Sequence, residues 1–447
     1  MTKDLTHGSP AKLIFFFTIP LLIGNLFQQF YNMADTLIVG RTLGVDALAG
    51  VGCTGGISFL ILGFAEGITA GLSILTAQRF GAGDNDGVRR CFAAGLLISA
   101  GTTLLLTLLG VCFARQMLLW MNTPAKILPY AYSYIIIIMG GIVASMLFNL
   151  LSNTLRALGD SRTPLLFLVI ACVVNIVLDL VFICVFHWGV AGAAAATVTS
   201  QLISCVCCLV FIVKKFPVLR LHRQDFHLSG WEFAAHMRLA FPMGFQSSII
   251  ALGTLFLQTA LNGLGATAVA SYTAACRVDQ FSVQPMMSFG MTMATYSAQN
   301  YGAGKFDRIR TGVRQCLLIS VSFSIAMAFV NILFGKSLVR LFVGSAENVV
   351  NLAHVYLVIN SACYFILAIL FIIRYTLQGL GKSFVPTFAG VMELVMRTIA
   401  ALALVGPFGF AGASASNPLA WIGSCVPLCI AYVLIMRRLP KGQDAAD

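Results

Sequence analysis

The sequence predicts an all-α integral membrane protein: twelve transmembrane helices in two six-helix bundles related by a pseudo-two-fold axis along the membrane normal. Three observations carry this. The chain is 59% hydrophobic and only 10% charged, where soluble domains carry about 25% charged residues, and its mean hydropathy is +0.90. Long apolar runs recur from one end to the other. Four motif pairs repeat at an offset of 221 or 222 residues. Length alone would allow two or three soluble domains, but the apolar runs rule that out.

Taken in order, the spans read 13–38, 47–77, 92–114, 128–155, 165–187, 190–213, 238–262, 266–297, 315–341, 350–376, 385–406 and 415–436. The first follows MTKDLTHGSPAK and runs on past Asp35 with no A-x-A-like cleavage site, so no cleavable signal is expected. With the N-terminus inside, the inner segments hold 21 Lys or Arg, among them Arg89, Arg90, Lys214, Lys215, Arg308 and Arg310. The outer loops hold five: Arg41, Arg115, Lys126, Lys336 and Arg340. Arg277 and Arg397 are read as the only basic residues in mid-span. This split places both termini in the cytoplasm. It also accounts for the net charge of +12 and leaves no surplus for a nucleic-acid partner. The thirteen cysteines form no Cys/His cluster, and nearly all read as small buried hydrophobes.

The repeats set the domain organisation. AQRFGAG at 77–83 returns as AQNYGAG at 298–304, and TLRALGDSRTP at 154–164 returns as TLQGLGKSFVP at 376–386. IPLLIG with FPMGFQ and LGVDALA with LGATAVA follow the same offsets. We therefore expect an N-terminal lobe over 1–213, a basic cytoplasmic linker over 214–237 and a C-terminal lobe over 238–447. Six crossings per half is an even number, so both halves share one orientation. Paired bundles of this kind form a cavity that opens to alternate sides, which implies a transporter. The GAG and LGxS turns fit helix ends, with Gly at φ > 0 and Ser or Asp capping the next helix. A cytoplasmic gate built on the same turns is compatible with that.

Polar residues inside the spans are the candidate functional groups. Asp35 in YNMADTLIVG lies about 9 Å below the outer end of span one. Asp179 in NIVLDL lies about 22 Å up span five, with Asn175 one turn below it. Thr197 lies about 10 Å from the outer end of span six. Four oxygen-bearing side chains thus reach a similar depth from three helices of one half. At the repeat offset, the other half has Leu257 and Ala401 where the acids stand. A purely structural role gives no reason for that asymmetry, so the first half reads as the ion-coupling half. Two neighbouring carboxylates can share and release a proton as their surroundings change; with Asn and Thr oxygens they could instead complete a shell for Na⁺. Hydrogen-bonded packing is the bland alternative. Glu393 and Arg397 are spaced i,i+4 and read first as a structural salt bridge, second as part of a substrate or ion path. Glu66 in GFAEGITAG reads equally as a hydrogen-bond partner or as a second acid on that path. Arg277 and Asp279 are too close in sequence to face each other across one helix, so each needs another partner. The frequent Met and Phe are core or lipid-facing packing, though a cavity lined by them would suit flat apolar cations.

These residues, taken together, resemble the multidrug and toxic compound extrusion (MATE) family. MADTLIVG in the first span, AQNYGAGK after the eighth, NxxxD in the fifth and the two six-helix halves occur in order over about residues 8–438. The DinF-like branch is nearer than the NorM-like one. The resemblance implies secondary active efflux from the bacterial inner membrane. Organic cations or other amphipathic drugs would leave in exchange for inward H⁺ or Na⁺, with no cofactor; the expected partners are drug-like cations and membrane lipid, and the expected state is a monomer. By position it implies ion coupling at Asp35, Asn175, Asp179 and Thr197, with Asn149 on the path. NorM-like acids in the seventh and tenth helices have no counterpart here, so coupling rests on the N-terminal half. A lipid-linked saccharide or peptidoglycan-precursor flippase is the rival; it would need a more cationic cavity. No HExxH, DDxxD, Walker A loop or Ser/His/Asp order supports an enzyme, and the six His lie at loops or span edges.

Overall fold

The protein, described by a computed structural model over Asp4–Pro440 apart from Asn122 and Ser345, is almost entirely helical. Two of the inner cations counted above, Lys3 and Lys441, lie outside the described residues. The helices are α1 (Pro10–Leu43), α2 (Val45–Gly81), α3 (Asn85–Trp120), α4 (Leu128–Gly140), α5 (Ile142–Ala157), α6 (Arg162–Leu180), α7 (Gly189–Lys215), α8 (Gly230–Asn262), α9 (Ala266–Gly302), α10 (Phe306–Val343), α11 (Glu347–Ser361), α12 (Tyr364–Gly379) and α13 (Phe384–Arg438).

Twelve crossings map onto these helices with three complications. The fourth and tenth spans are broken pairs, α4 with α5 bent by 48° and α11 with α12 bent by 52°. Spans eleven and twelve run together as α13, interrupted where Gly409 takes φ 54°, ψ −127°. α9 is long enough to cross but less apolar than the others, because SYTAACRVDQFSVQ carries polar groups through its middle.

The repeat holds at the level of the backbone. α2 and α9 are both 37 residues long. The inner turns close with left-handed glycines at matching places: Gly83 (φ 73°) with Gly304 (φ 72°), and Gly159 (φ 81°) with Gly381 (φ 76°). Only glycine takes this conformation without strain. Asp160 then caps α6: its Oδ1 accepts from the N–H groups of Arg162 and Thr163, both at 3.0 Å.

Among the described residues the chain forms two compact units: Ile19–Ser248, and Leu5–Thr18 together with residues 249–440. The division differs from the lobes expected at 213 and 238. In the first unit, Phe216 and Leu219 of the connecting segment share a core with Val88, Phe92 and Ile212, so the linker packs as part of that unit. The beginning of α8 also packs there, against α2. A Cβ on Gly71 would lie 2.5 Å from Ala240 Cα, and one on Gly67 would lie 2.4 Å from Met243 O. Glycine at both positions, one turn apart, is what lets the backbones meet. In the second unit, fully buried Leu5 donates its N–H to Gln299 Oε1 at 3.0 Å and accepts from Asn300 Nδ2 at 3.2 Å. Lys305 Nζ donates to Thr6 O at 3.0 Å, and the hydroxyls of Thr18 and Thr292 meet at 2.7 Å. The AQNYGAGK turn is therefore an anchor for the start of the chain.

Candidate ion-coupling site

Within the first unit, α1, α4, α6 and α7 bring one polar group together. Asp179 and Asn175 on α6 are fully buried, and Asp35 on α1 is half-buried. The Asn175 amide, oriented with its nitrogen toward the acid, donates to Asp179 Oδ2 at 3.0 Å and accepts from the Thr197 N–H at 3.3 Å. Asp35 lies within electrostatic range of Asp179. Thr197 donates its hydroxyl to Ala193 O at 3.1 Å, which leaves oxygen lone pairs free. Tyr31 and Tyr134 both reach that side chain and stand in the field of both acids. One carboxylate oxygen on each acid, Asp35 Oδ1 and Asp179 Oδ1, is buried without a hydrogen-bond partner. A buried acceptor left open is costly, and two within electrostatic range of each other are chemically suited to take up a proton or a small monovalent cation. Directly after Asp179 the helix widens into a π turn, Val181–Val185, a feature frequent at functional sites.

The four residues expected at this site, Asp35, Asp179, Asn175 and Thr197, are thus neighbours. The others lie apart from it. Asn149 is half-buried on α5 and shares no hydrogen bond with the group. Glu66 on α2 is exposed and stands in the field of Arg156; Arg156 Nη1 donates to Asn153 Oδ1 at 3.3 Å, and Asn153 donates to Thr69 at 3.2 Å. Glu393 and Arg397 belong to the second unit, where Arg397 Nη2 donates to Glu393 Oε1 at 2.9 Å.

Sequence reasoning missed three residues. Arg374, counted among the inner-end cations, is 5% exposed and donates to Glu393 Oε2 at 2.7 Å and Ser424 Oγ at 3.0 Å. The reading that Arg277 and Arg397 are the only basic residues in mid-span is therefore corrected: Glu393 sits between two buried guanidiniums. Tyr31 stands one turn before Asp35, a signal that i,i+4 spacing offers. Tyr134 in YAYSYIIII gives no such signal. Asp279 has found its partner in Tyr364, whose hydroxyl donates to Asp279 Oδ1.

Twelve crossings built from two repeated halves, with a paired-acid site buried in one of them, define a membrane transporter and not an enzyme. A model of the MatE family matches residues 20–181 and again 242–403, one match for each repeat. The chain belongs to the MatE family. It is similar to the "Probable multidrug resistance protein YpnP" of Bacillus subtilis, 29% identical over 350 residues, 77% of either chain. It is also similar to DNA damage-inducible protein F of Escherichia coli, 25% identical over 359 residues, 78% of this chain and 76% of that one. A crystal structure of MATE in complex with MaL6 has the same fold, with TM-score 0.92 at 23% identity over 99% of this chain and 100% of that one.

Proposed function

We propose that the protein is a cation-coupled efflux antiporter that expels organic cations or other amphipathic drugs in exchange for inward H⁺ or Na⁺. Both termini are then cytoplasmic, on the strength of the 21-to-5 charge split. The observation that carries the reading is the pair of open acceptors, Asp35 Oδ1 and Asp179 Oδ1, in one buried group with Asn175 and Thr197. Ion uptake would satisfy both acceptors at once. Release would return them to their costly state, so occupancy could bias the conformation in which substrate binds. The names of the similar proteins, which include multidrug resistance, support a drug-like substrate.

The test is reconstitution of wild type and Asp35→Asn into liposomes, with ethidium transport followed under an imposed pH gradient and, separately, an imposed Na⁺ gradient. Transport driven by one gradient and lost in the variant names the ion. Undiminished transport by Asp35→Asn would remove the site from the mechanism.

A second reading has one observation in its favour. Arg374 and Arg397 share the single carboxylate of Glu393, an excess of buried positive charge that suits a pyrophosphate. That supports export of a lipid-linked saccharide or peptidoglycan precursor. Absence of ethidium transport under either gradient, together with transport of such a precursor, would favour it.

A further inference from the structure

The second unit has an open groove on its surface. It runs along α10 beside α12 and α13, encloses about 470 Å³ and is lined by Val313, Leu317, Val321 and Tyr432, with Arg310 and Arg314 at its basic end. From Arg310 to the far lining residue Ser322 is twelve residues of helix, about 18 Å. One leaflet's share of a bilayer's hydrocarbon is about 15 Å. The groove therefore has the length of one acyl chain and a charged group at the end where a headgroup would lie.

The two arginines differ in what they are free to do. Arg310 is committed: it pairs with Asp307 and donates to the carbonyls of Met436 at 2.9 Å and Leu439 at 3.0 Å, tying down the end of α13. Arg314 is exposed and has no hydrogen-bond or ion-pair partner among the described residues. In the first unit, at the repeat offset, Val313 and Leu317 correspond to Phe92 and Leu96. There Phe216, Leu219 and Val218 of the connecting segment pack over them. Arg314 corresponds to Ala93, which is fully buried. Val313 is as buried as Phe92, so the two units differ at the next position: a fully buried alanine in one, and in the other an exposed guanidinium with no partner among the described residues.

We infer that this groove is a binding site for an anionic phospholipid of the leaflet that meets its basic end, with Arg314 holding the phosphate and one acyl chain lying along Val313, Leu317 and Val321. Basic pockets between transmembrane helices are suited to anionic headgroups. An exposed apolar groove in a helix bundle is where a lipid tail replaces solvent or loose packing. The site stands apart from the ion-coupling group, and its occupancy does not depend on what is transported.

The test uses the purified, delipidated full-length chain and native mass spectrometry, with phosphatidylglycerol and phosphatidylcholine of identical acyl chains. Wild type should retain phosphatidylglycerol in preference. Arg314→Gln should reduce that preference about five-fold, the effect of one arginine near an anionic surface. Val321→Trp, which fills the groove, should lose the tightly held lipid of either kind. Added phosphatidylglycerol should raise the melting temperature of wild type more than that of Arg314→Gln. Equal retention of the two lipids by wild type would overturn the site, including the case where residues beyond Pro440 close the groove. An unchanged preference in Arg314→Gln would do the same.

Discussion

The two units share helices, turns and glycine positions, yet they bury opposite kinds of charge. The first unit holds Asp35 and Asp179 with neutral oxygens around them. The second holds Glu393 clamped by Arg374 and Arg397, and a lone acid, Asp279, bonded to Tyr364. In the second unit both of these acids have a strong donor. In the first, Asp35 and Asp179 each keep a buried oxygen without one. A repeated scaffold therefore constrains where helices begin, bend and end, while each copy's interior chemistry can diverge. An acid left partly unsatisfied is available to a transported ion; an acid fully satisfied is part of the frame.

That comparison can be broken most directly at the acids. Asp35→Asn and Asp179→Asn are expected to abolish gradient-driven transport in liposomes while leaving yield and melting temperature near wild type. Asp279→Asn should retain transport. Loss of transport in Asp279→Asn with normal folding would mean that the second unit also takes up an ion. The next effect in size belongs to the clamp. Glu393→Gln leaves two buried guanidiniums without their anion and should destabilise the protein by about 3–5 kcal/mol, seen as low yield and a lowered melting temperature in detergent. Normal yield with lost transport would move Glu393 onto the substrate path.

Smaller effects sharpen the contrast between the inner turns. Asn300→Ala removes the donor to Leu5 O and the acceptor for Arg308 Nε at 3.1 Å. It should cost about 1 kcal/mol and raise hydrogen exchange over Leu5–His7. Ordinary protection there would show that Gln299 and Lys305 suffice. Smallest of all is Lys126→Ala. Lys126 is fully exposed, and Asp46 at 2.8 Å, by hydrogen bond and then by charge, holds its ammonium above the ordinary lysine pKa. Any stability the pair lends is present below that ordinary value and fades as pH rises through the raised one. The variant should therefore melt close to wild type at neutral pH and show no difference in strong alkali. A large loss at neutral pH would mean that the loop has a structural role beyond this pair.

Much of the fold was legible because membranes simplify the code. Apolar length marks crossings, loop charge orients them, and the repeat offset of 222 ties the halves together. The acids of the site were legible for the same reason: Asp35 and Asp179 are conspicuous in apolar runs, and rise per residue gave their depth. What stayed hidden was what depends on partners distant in sequence. Arg374 lies 19 residues from Glu393, near the end of its span, where a cation is expected on other grounds. Tyr134 reaches Thr197 from a different helix, and no local spacing announces that. The affiliation of Leu5–Thr18 was equally unreadable, since α1 runs unbroken through Thr18 and its hydropathy pattern does not change there.

That last feature bears on how such a chain could have arisen and how it can be cut. A half-length ancestor carrying only one repeat would have had the first turns of its opening helix packed against a second copy, an exchange of arms between identical subunits. Fusion into one polypeptide would preserve the exchange and make it permanent. Severing the chain between Lys215 and Gly230 should therefore not yield two self-sufficient fragments. Either piece made alone would lack the strand of sequence that completes its base. The two produced together in one cell would be expected to recover a whole transporter.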